Sequence, residues 1–512
     1  MTDEVGTYLG QKGYSIYKEC ISVEEQQWLR EQLQVRPNIP NSPVKAPSFP
    51  VYRESPNKIY IPRFFGIETY GQPEESRIPD GESINIDFNG VLRDYQQKVV
   101  DTYVQTVGTD GGGGLLELPC GFGKTIIALN IIGTLKLKTL VIVHKSFLMN
   151  QWVERIADFL PSARVGKIQG KIIDIENKDI VIGMLQSLSM KEYPSSLFDC
   201  FGLTIVDECH HISSEVFSRS LQLIVTKNML GLSATMNRKD GLTHVFKMFI
   251  GEVVYKVKRD SDDFVLVKSI EYSCDDEDFN AVINDYRGNV AYSSMISKLC
   301  AHIPRCEFIL TVLENELKEK EGQQIMVLAH NKNLLTYLYT EIEKRNISSV
   351  GYYMGGMKDA ALKNSETKTI IIATYAMASE ALDIKTLTTL VLATPKTDIE
   401  QAVGRILRVK HERPLVIDIV DTHQVYQRQW AKRRKFYVKN NYKIITSNTD
   451  EYLQNVWCDD YTPTDKNVKG AKSNGAKSNG AKSNGAKSNG AKSNEDGNKS
   501  NIQRGKCMVL NM

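Results

Sequence analysis

Between a glycine run and a strongly apolar stretch the chain carries Leu116-Glu117-Leu118-Pro119-Cys120-Gly121-Phe122-Gly123-Lys124-Thr125, followed by Ile126-Ile127-Ala128-Leu129-Asn130-Ile131-Ile132. A glycine-rich turn between a strand and a helix lets backbone N–H groups converge on phosphate oxygens, and the helix N-terminus adds its partial positive charge. The stretch therefore reads as a phosphate cradle. Pro119, Cys120, Gly121, Phe122 and Gly123 form the turn, Lys124 reaches β- and γ-phosphates, and the Thr125 hydroxyl is placed for Mg²⁺. The usual first glycine of G-x-x-x-x-G-K-[ST] falls on Leu118 here.

The surrounding pattern alternates buried strands with helices. Lys138-Thr139-Leu140-Val141-Ile142-Val143-His144 has the β-branched run of a parallel strand, and Phe147-Leu148-Met149-Asn150-Gln151-Trp152 opens the next helix. Ile180-Val181-Ile182-Gly183-Met184-Leu185-Gln186-Ser187 repeats the design. Such an alternation predicts a parallel sheet with sites at the carboxyl ends of its strands. The second chemical signal is Leu203-Thr204-Ile205-Val206-Asp207-Glu208-Cys209-His210, an apolar strand ending in two carboxylates. A phosphate-bound Mg²⁺ takes a hard oxygen from Asp207, directly or through water, and Glu208 can orient the attacking water as base. Gly231-Leu232-Ser233-Ala234-Thr235 ends another strand with hydroxyls placed to bond the acidic pair and relay the nucleotide state. Upstream, in Val91-Leu92-Arg93-Asp94-Tyr95-Gln96, the Gln96 amide suits the donor and acceptor edge of adenine.

In order and spacing, residues 118–125, 207–210 and 233–235 resemble motifs I, II and III of superfamily 2 helicases. Arg238-Lys239-Asp240-Gly241 resembles the branch of XPB-like repair helicases, phage UvsW and the repair or transcript-release helicases of large DNA viruses. That family's motif I carries a small or prolyl residue before G-x-G-K-[ST], which accounts for Leu118-Pro119. The resemblance implies Arg93 and Gln96 as nucleotide contacts and two RecA-like domains with nucleotide in the cleft between them.

A second alternation begins at Gln324-Ile325-Met326-Val327-Leu328-Ala329-His330. Ile370-Ile371-Ile372-Ala373-Thr374 leads into a stretch that looks like motif V, which implies Thr374 on nucleic-acid phosphate and Asp383 on the ribose or the arginine motif. Ala381 stands where the family usually has Gly. Gln401-Ala402-Val403-Gly404-Arg405-Ile406-Leu407-Arg408 resembles motif VI, Q-x-x-G-R-x-x-R, which implies Gln401 in the catalytic set, Arg405 on the γ-phosphate and Arg408 as arginine finger. Nucleic-acid contacts carried over from the family fall on Lys145, Gln186 and Ser187 in the first domain, and on Thr374 with Asn331 or Lys332 in the second.

The remaining segments are less specific. Residues 1–88 read as a small accessory domain, in which Lys58-Ile59-Tyr60-Ile61-Pro62-Arg63-Phe64-Phe65-Gly66 suits either a nucleic-acid clamp or a core strand, burial being the commoner fate of aromatics. Residues 89–262 form the ATP-binding domain, 263–320 a charged connector, 321–447 the second domain and 448–512 a tail. The net charge of +3 over 512 residues hides an asymmetry. From Lys466 onward, nine Lys and one Arg oppose Glu495 and Asp496, a net +8 that leaves −5 for the rest. Five tandem Gly-Ala-Lys-Ser-Asn copies in the tail offer nothing to bury, which predicts disorder with weak attraction for nucleic acid. Arg428-Gln429-Trp430-Ala431-Lys432-Arg433-Arg434-Lys435-Phe436-Tyr437 suits either phosphate binding or a solvated helix face. Nine cysteines without a C-x-x-C pair read as core thiols.

The expected fold is α/β: two tandem RecA-like parallel-sheet domains, a small N-terminal domain and a disordered basic tail. The expected activity is Mg²⁺-ATP-dependent movement on or unwinding of nucleic acid, DNA before RNA, with transcription or repair proteins as partners. The alternatives are an RNA helicase and, from another class, a nucleotide-driven switch. A nuclease carrying a helicase core is a poor third, since no further acidic or His-rich cluster stands at metal-ligand spacing. No membrane is implied, because no apolar run approaches about 18 residues and the N-terminus has no signal pattern. The expected location is cytoplasm or nucleus or, for a viral protein, host cell or virion.

Overall fold

The computed structural model describes residues 6–38, 46–108, 111–119, 121–211, 214–236, 240–257, 264–380, 384–407, 411, 413–463 and 507–509. They fall into two compact units that divide after Arg259. No helix among the described residues is long and apolar enough to cross a membrane.

The first unit holds two sheets. Its N-terminal sheet runs in the order Arg53–Glu54, Lys58–Ile61, Gly13–Tyr17, Thr7–Gly10, Glu75–Ser76. The strand Lys58–Ile61 alternates half-buried Lys58 and Tyr60 with buried Ile59 and Ile61, so one face is core and the other carries a polar and aromatic row. The aliphatic face merges with Leu115, Leu140 and Ile142 of the main sheet into one apolar cluster, so the N-terminal domain is cemented to its neighbour. The main sheet has eight strands in the order Ile172–Ile173, Val165–Gln169, Ile180–Met184, Thr139–Val143, Leu203–Val206, Asn228–Ser233, Gly112–Glu117, Val253–Lys256. All are parallel except the short Ile172–Ile173 edge. The glycine run before the cradle is itself strand: a Cβ on Gly113 would stand 2.0 Å from the Ile250 carbonyl oxygen, so only glycine lets that helix end approach.

The second unit is built on a sheet ordered Val350–Tyr353, Ile370–Thr374, Ile325–Ala329, Thr389–Leu392, Leu415–Asp421, Leu266–Tyr272, Lys443–Asn448, Val456–Tyr461, Cys507–Val509. It is parallel through Lys443–Asn448, then antiparallel. Two boundaries differ from the sequence expectation. Residues 263–320 are not a connector: Leu266–Tyr272 lies inside the sheet, paired on both sides, and the helix Ile303–Glu319 buries Phe308, Ile309 and Leu313. Their charges misled because they are paired internally, Lys268 with Glu316 at 2.7 Å and Arg305 with Asp421 at 2.5 Å, with Arg305 and Asp421 fully buried. Nor does the tail begin at residue 448, for the helix Thr449–Leu453 and the strand Val456–Tyr461 continue the unit, anchored by buried Tyr452 and Trp457. The GAKSN repeats lie outside the described residues.

Candidate nucleotide-binding site

The parallel order of the main sheet brings the carboxyl ends of five neighbouring strands to one edge. The candidate residues follow those ends. After Gly112–Glu117 the chain turns through Pro119, whose carbonyl accepts from the Phe122 amide at 3.2 Å, and enters the helix Lys124–Leu135. Gly121 and Gly123 sit at φ +82° and +92°, the left-handed region that favours glycine, and Gly123 is the residue at the helix N-terminus. A Cβ on Gly123 would fall 2.4 Å from Gln96 Nε2. The loop thus presents backbone rather than side chains, as a phosphate requires.

Gln96 is buried beneath this loop. Its Oε1 accepts from the Arg93 amide at 3.0 Å and its Nε2 donates to the Phe122 carbonyl at 2.9 Å. The amide expected to read adenine therefore also clamps the phosphate loop to the helix Asp94–Val107. Tyr95 lies over Phe122 with ring centroids 4.7 Å apart, and an Arg93 guanidinium nitrogen donates to the Tyr95 hydroxyl at 2.7 Å.

Asp207 and Glu208 follow Leu203–Val206, two strands from the cradle. Asp207 is buried, and its Oδ2 accepts from Trp152 Nε1 at 2.9 Å. Burial and the neighbouring Glu208 push the Asp207 carboxyl upward, against the pull of the Trp152 N–H and the Lys124 ammonium. Glu208 has φ +48°, an uncommon conformation for a residue with a side chain. Lys124 Nζ stands 2.9 Å from Glu208 Oε1, so the candidate phosphate lysine and the candidate base face each other. On the other oxygen, His210 Nδ1 stands 3.3 Å from Glu208 Oε2 and 2.7 Å from Ser233 Oγ. The Thr235 amide donates to the same Ser233 oxygen at 3.2 Å. Ser233 thus reaches the acidic pair through His210, an intermediary the sequence did not assign. Cys209 is buried and its thiol is pushed up to about 12, which keeps it neutral core. Half-buried Thr125 stands in the first turn of the cradle helix.

The nucleic-acid candidates of this unit occupy the adjoining strand ends. Half-buried Lys145 precedes the helix Ser146–Phe159, and burial lowers its ammonium pKa. Gln186 Nε2 donates to the His144 carbonyl at 3.0 Å, while Ser187 Oγ accepts from the Gly170 amide at 2.9 Å. Both side chains tie strand ends together.

In the second unit, Thr374 ends the strand Ile370–Thr374 and Gln401 lies in the short helix Glu400–Val403. Arg405 is buried with its Nε donating to the Ala378 carbonyl at 2.7 Å, which links the arginine motif to the helix after Thr374. Asn331 caps the helix Lys332–Lys344 by accepting from the Asn333 amide at 2.7 Å. Cys120, Asp383 and Arg408 lie outside the described residues, as do Arg238 and Lys239. The basic helix Gln424–Lys439 divides its cations: Arg433 is buried against Asp418 and Arg434 pairs with Asp460, both at 2.7 Å, leaving Arg428, Lys432 and Lys435 on the exposed side.

Comparison with known proteins gives concordant matches. The family model described as "Type III restriction enzyme, res subunit" matches residues 89–238. Putative ATP-dependent RNA helicase L396 of Acanthamoeba polyphaga mimivirus is 35% identical over 457 residues, spanning 87% of this chain and 87% of its own length. Putative helicase 161L of Invertebrate iridescent virus 6 is 28% identical over 386 residues, spanning 71% of this chain and 85% of its own. The solved structure of T4 UvsW aligns with 84% of this chain and 96% of its own at 19% identity and TM-score 0.33. The fold rests on the strand order above and not on that score.

Proposed function

The chain belongs to the superfamily 2 helicases, nucleic-acid-dependent ATPases with relatives in large DNA viruses, and from that premise we propose that it is a Mg²⁺-ATP-driven motor on DNA, acting in repair or transcript release beside proteins of those processes. The observation that carries the mechanism is the chain of contacts Lys124, Glu208, His210, Ser233 across three strand ends. Bound Mg²⁺-ATP supplies the scissile phosphoanhydride bond and partial neutralisation of its charge. The residues fit it: Gly121 and Gly123 leave backbone amides uncovered by side chains, and Thr125 and Asp207 provide the hard oxygens that Mg²⁺ prefers.

Each residue then has a defined task. Loop amides and Lys124 hold phosphate oxygens. Arg93, Tyr95 and Gln96 face the base, and Gln96 transmits its position to the loop through the Phe122 carbonyl. Trp152 orients Asp207, whose buried carboxylate would otherwise turn away. Glu208 accepts the proton of the attacking water at a side-chain oxygen, and Lys124, 2.9 Å from that carboxylate, exchanges it for phosphate oxygens when nucleotide enters. Ser233 and Thr235 bear on Glu208 through His210, so a shift in the base is felt at the end of a neighbouring strand. Arg405 and Arg408 bring further positive charge to the triphosphate, Gln401 adds a neutral amide that can hydrogen-bond beside them, and Asp383 bears on the ribose or on those arginines; an arginine finger is worth about 10³ to 10⁵ in rate. Lys145, Gln186, Ser187 and Thr374 contact the strand being moved.

The second reading is an RNA helicase, favoured by the name of the mimivirus relative. Strand-displacement assays on forked DNA, an RNA–DNA hybrid and duplex RNA separate the two. ATP-dependent displacement of the DNA or hybrid strand supports the DNA motor, whereas displacement of duplex RNA alone transfers the enzyme to RNA.

A further inference from the structure

At the junction of the N-terminal sheet and the main sheet lies a cavity of about 10 Å³, room for one oxygen-sized group, with a mostly apolar wall into which Lys12, Tyr60, Arg63 and Gln222 bring polar groups. Two buried donors there have no acceptor, Arg63 Nε and Gln222 Nε2. Arg63 is 8% exposed. Its outer nitrogen is spent on the Thr226 and Lys227 carbonyls, at 3.3 and 2.9 Å. The Gln222 amide is oriented by Arg53, whose Nε donates to Oε1 at 3.0 Å, so the nitrogen is the end left over. Burial lowers both arginines, Arg63 to about 10, and no carboxylate offsets either shift. Among the described residues no carboxylate pairs with Lys12, Arg53 or Arg63, and Glu54, beside Arg53 in the chain, is taken by Lys18 and Arg30.

Two further features adjoin the cavity through Arg63 and through Tyr60. The helix Arg63–Tyr70 begins at the cavity with Pro62 before it, no side-chain cap and no acidic residue in its first turn. Its first amides add donor character without a counterweight. The strand register also sets Arg53 opposite Tyr60, Tyr60 opposite Ser15 and Ser15 opposite Tyr8 on one face of the sheet. Lys12 Nζ stands 5.0 Å from the Tyr60 ring centroid, and Lys58 Nζ stands 4.2 Å from that of Tyr17. Buried guanidinium without an anion is costly, and a fold that keeps it normally has an anionic partner to receive.

We infer that this junction is a phosphodiester-binding site, in which one non-bridging oxygen of the nucleic-acid backbone enters between Arg63 and Gln222, Lys12 meets the second, and Tyr60 packs beside the adjoining nucleotide. The inference rests on the nucleic-acid motor reading and adds a contact outside the helicase motifs, supplied by the N-terminal domain.

The test uses the full-length protein and two variants that leave the Arg63 carbonyl contacts intact. Lys12→Gln removes the rim cation. Gln222→Glu keeps the side-chain shape and supplies the missing anion from within, so it raises the thermal midpoint while weakening polynucleotide binding. Affinity for a labelled single strand and a labelled duplex is measured across salt concentration, and inorganic phosphate is titrated against the thermal midpoint. The expected result is about tenfold weaker binding of either variant, with the log–log salt slope smaller by about 0.7 to 0.9 for each phosphate that is no longer neutralised. Phosphate stabilises the wild type and not Gln222→Glu. Unchanged affinity and slope in both variants overturn the inference, and if phosphate stabilisation is nevertheless absent in Gln222→Glu the site takes free phosphate instead. A wild type that binds no polynucleotide sinks the motor reading itself, a result distinct from failure of the variants.

Discussion

Glu208 carries the proposed base on a backbone at φ +48°, a conformation that costs a residue with a side chain about 1 kcal/mol or more and that only surrounding contacts maintain. Lys124 on one oxygen and His210 on the other supply such contacts. Glu208→Gln should therefore still bind ATP, while its turnover falls by about 10² to 10⁴, the usual contribution of general base catalysis; nucleotide binding and single-turnover hydrolysis together check this. Gly123→Ala should act earlier, on binding, because its methyl meets Gln96 Nε2 at 2.4 Å and its φ is +92°; nucleotide affinity is expected to drop at least about tenfold. Trp152→Phe removes the N–H that holds Asp207 and should lower kcat by about tenfold, a hydrogen bond to a charged group being worth about 1.5 to 3 kcal/mol. The cradle and the acidic pair were legible because phosphate chemistry demands particular residues at short spacing. Trp152 and His210 were not given roles, since their tasks depend on which strands become neighbours. Neighbouring strands in this sheet are often distant in sequence: Leu203–Val206 pairs with Thr139–Val143 across more than one intervening element.

Elements hide most where their charges are internal. The strand Leu266–Tyr272 carries Lys268 and Glu271 and reads as surface, yet Lys268 is buried with Glu316. The helix Gln424–Lys439 reads as a basic face, yet Arg433 is its anchor, bound to Asp418 through two nitrogens at 2.7 and 2.8 Å, with the Tyr437 hydroxyl donating to the same carboxylate at 2.9 Å. Arg433→Met leaves Asp418 buried and uncompensated and should destabilise the second unit by about 3 to 5 kcal/mol; its denaturant midpoint should fall while that of the first unit stays. The sequence of Lys58–Ile61 suits a nucleic-acid clamp as well as a core strand, and its alternation of half-buried and buried residues becomes visible only in the structure. In the N-terminal domain, Arg30 and Lys18 hold the Glu54 carboxyl down to about 2 from an ordinary 4.5. A lowered carboxylate contributes stability above its unfolded value and loses it as pH falls toward the folded one. The wild type should thus lose about 1 kcal/mol between roughly pH 4.5 and 2, a figure discounted for the screening of partly exposed pairs. Glu54→Gln should flatten that part of the stability profile.

At the scale of the whole molecule, each of two parallel-sheet units carries some of the residues proposed for ATP hydrolysis. The first has Lys124, Thr125, Asp207 and Glu208 at the edge of its sheet, and the second has Thr374, Gln401 and Arg405 near the end of Ile370–Thr374. Alternating strands and helices made both units readable from sequence. Their boundaries were less so, because a sheet recruits strands from either side of a charged segment. The most direct measurement is steady-state ATP hydrolysis by the purified protein alone and with single-stranded DNA, duplex DNA or RNA, with Lys124→Ala as the blank. A DNA motor of this kind is expected to show strong stimulation, greater with DNA than with RNA, abolished in Lys124→Ala. Hydrolysis indifferent to every polynucleotide, or surviving in Lys124→Ala, would contradict it.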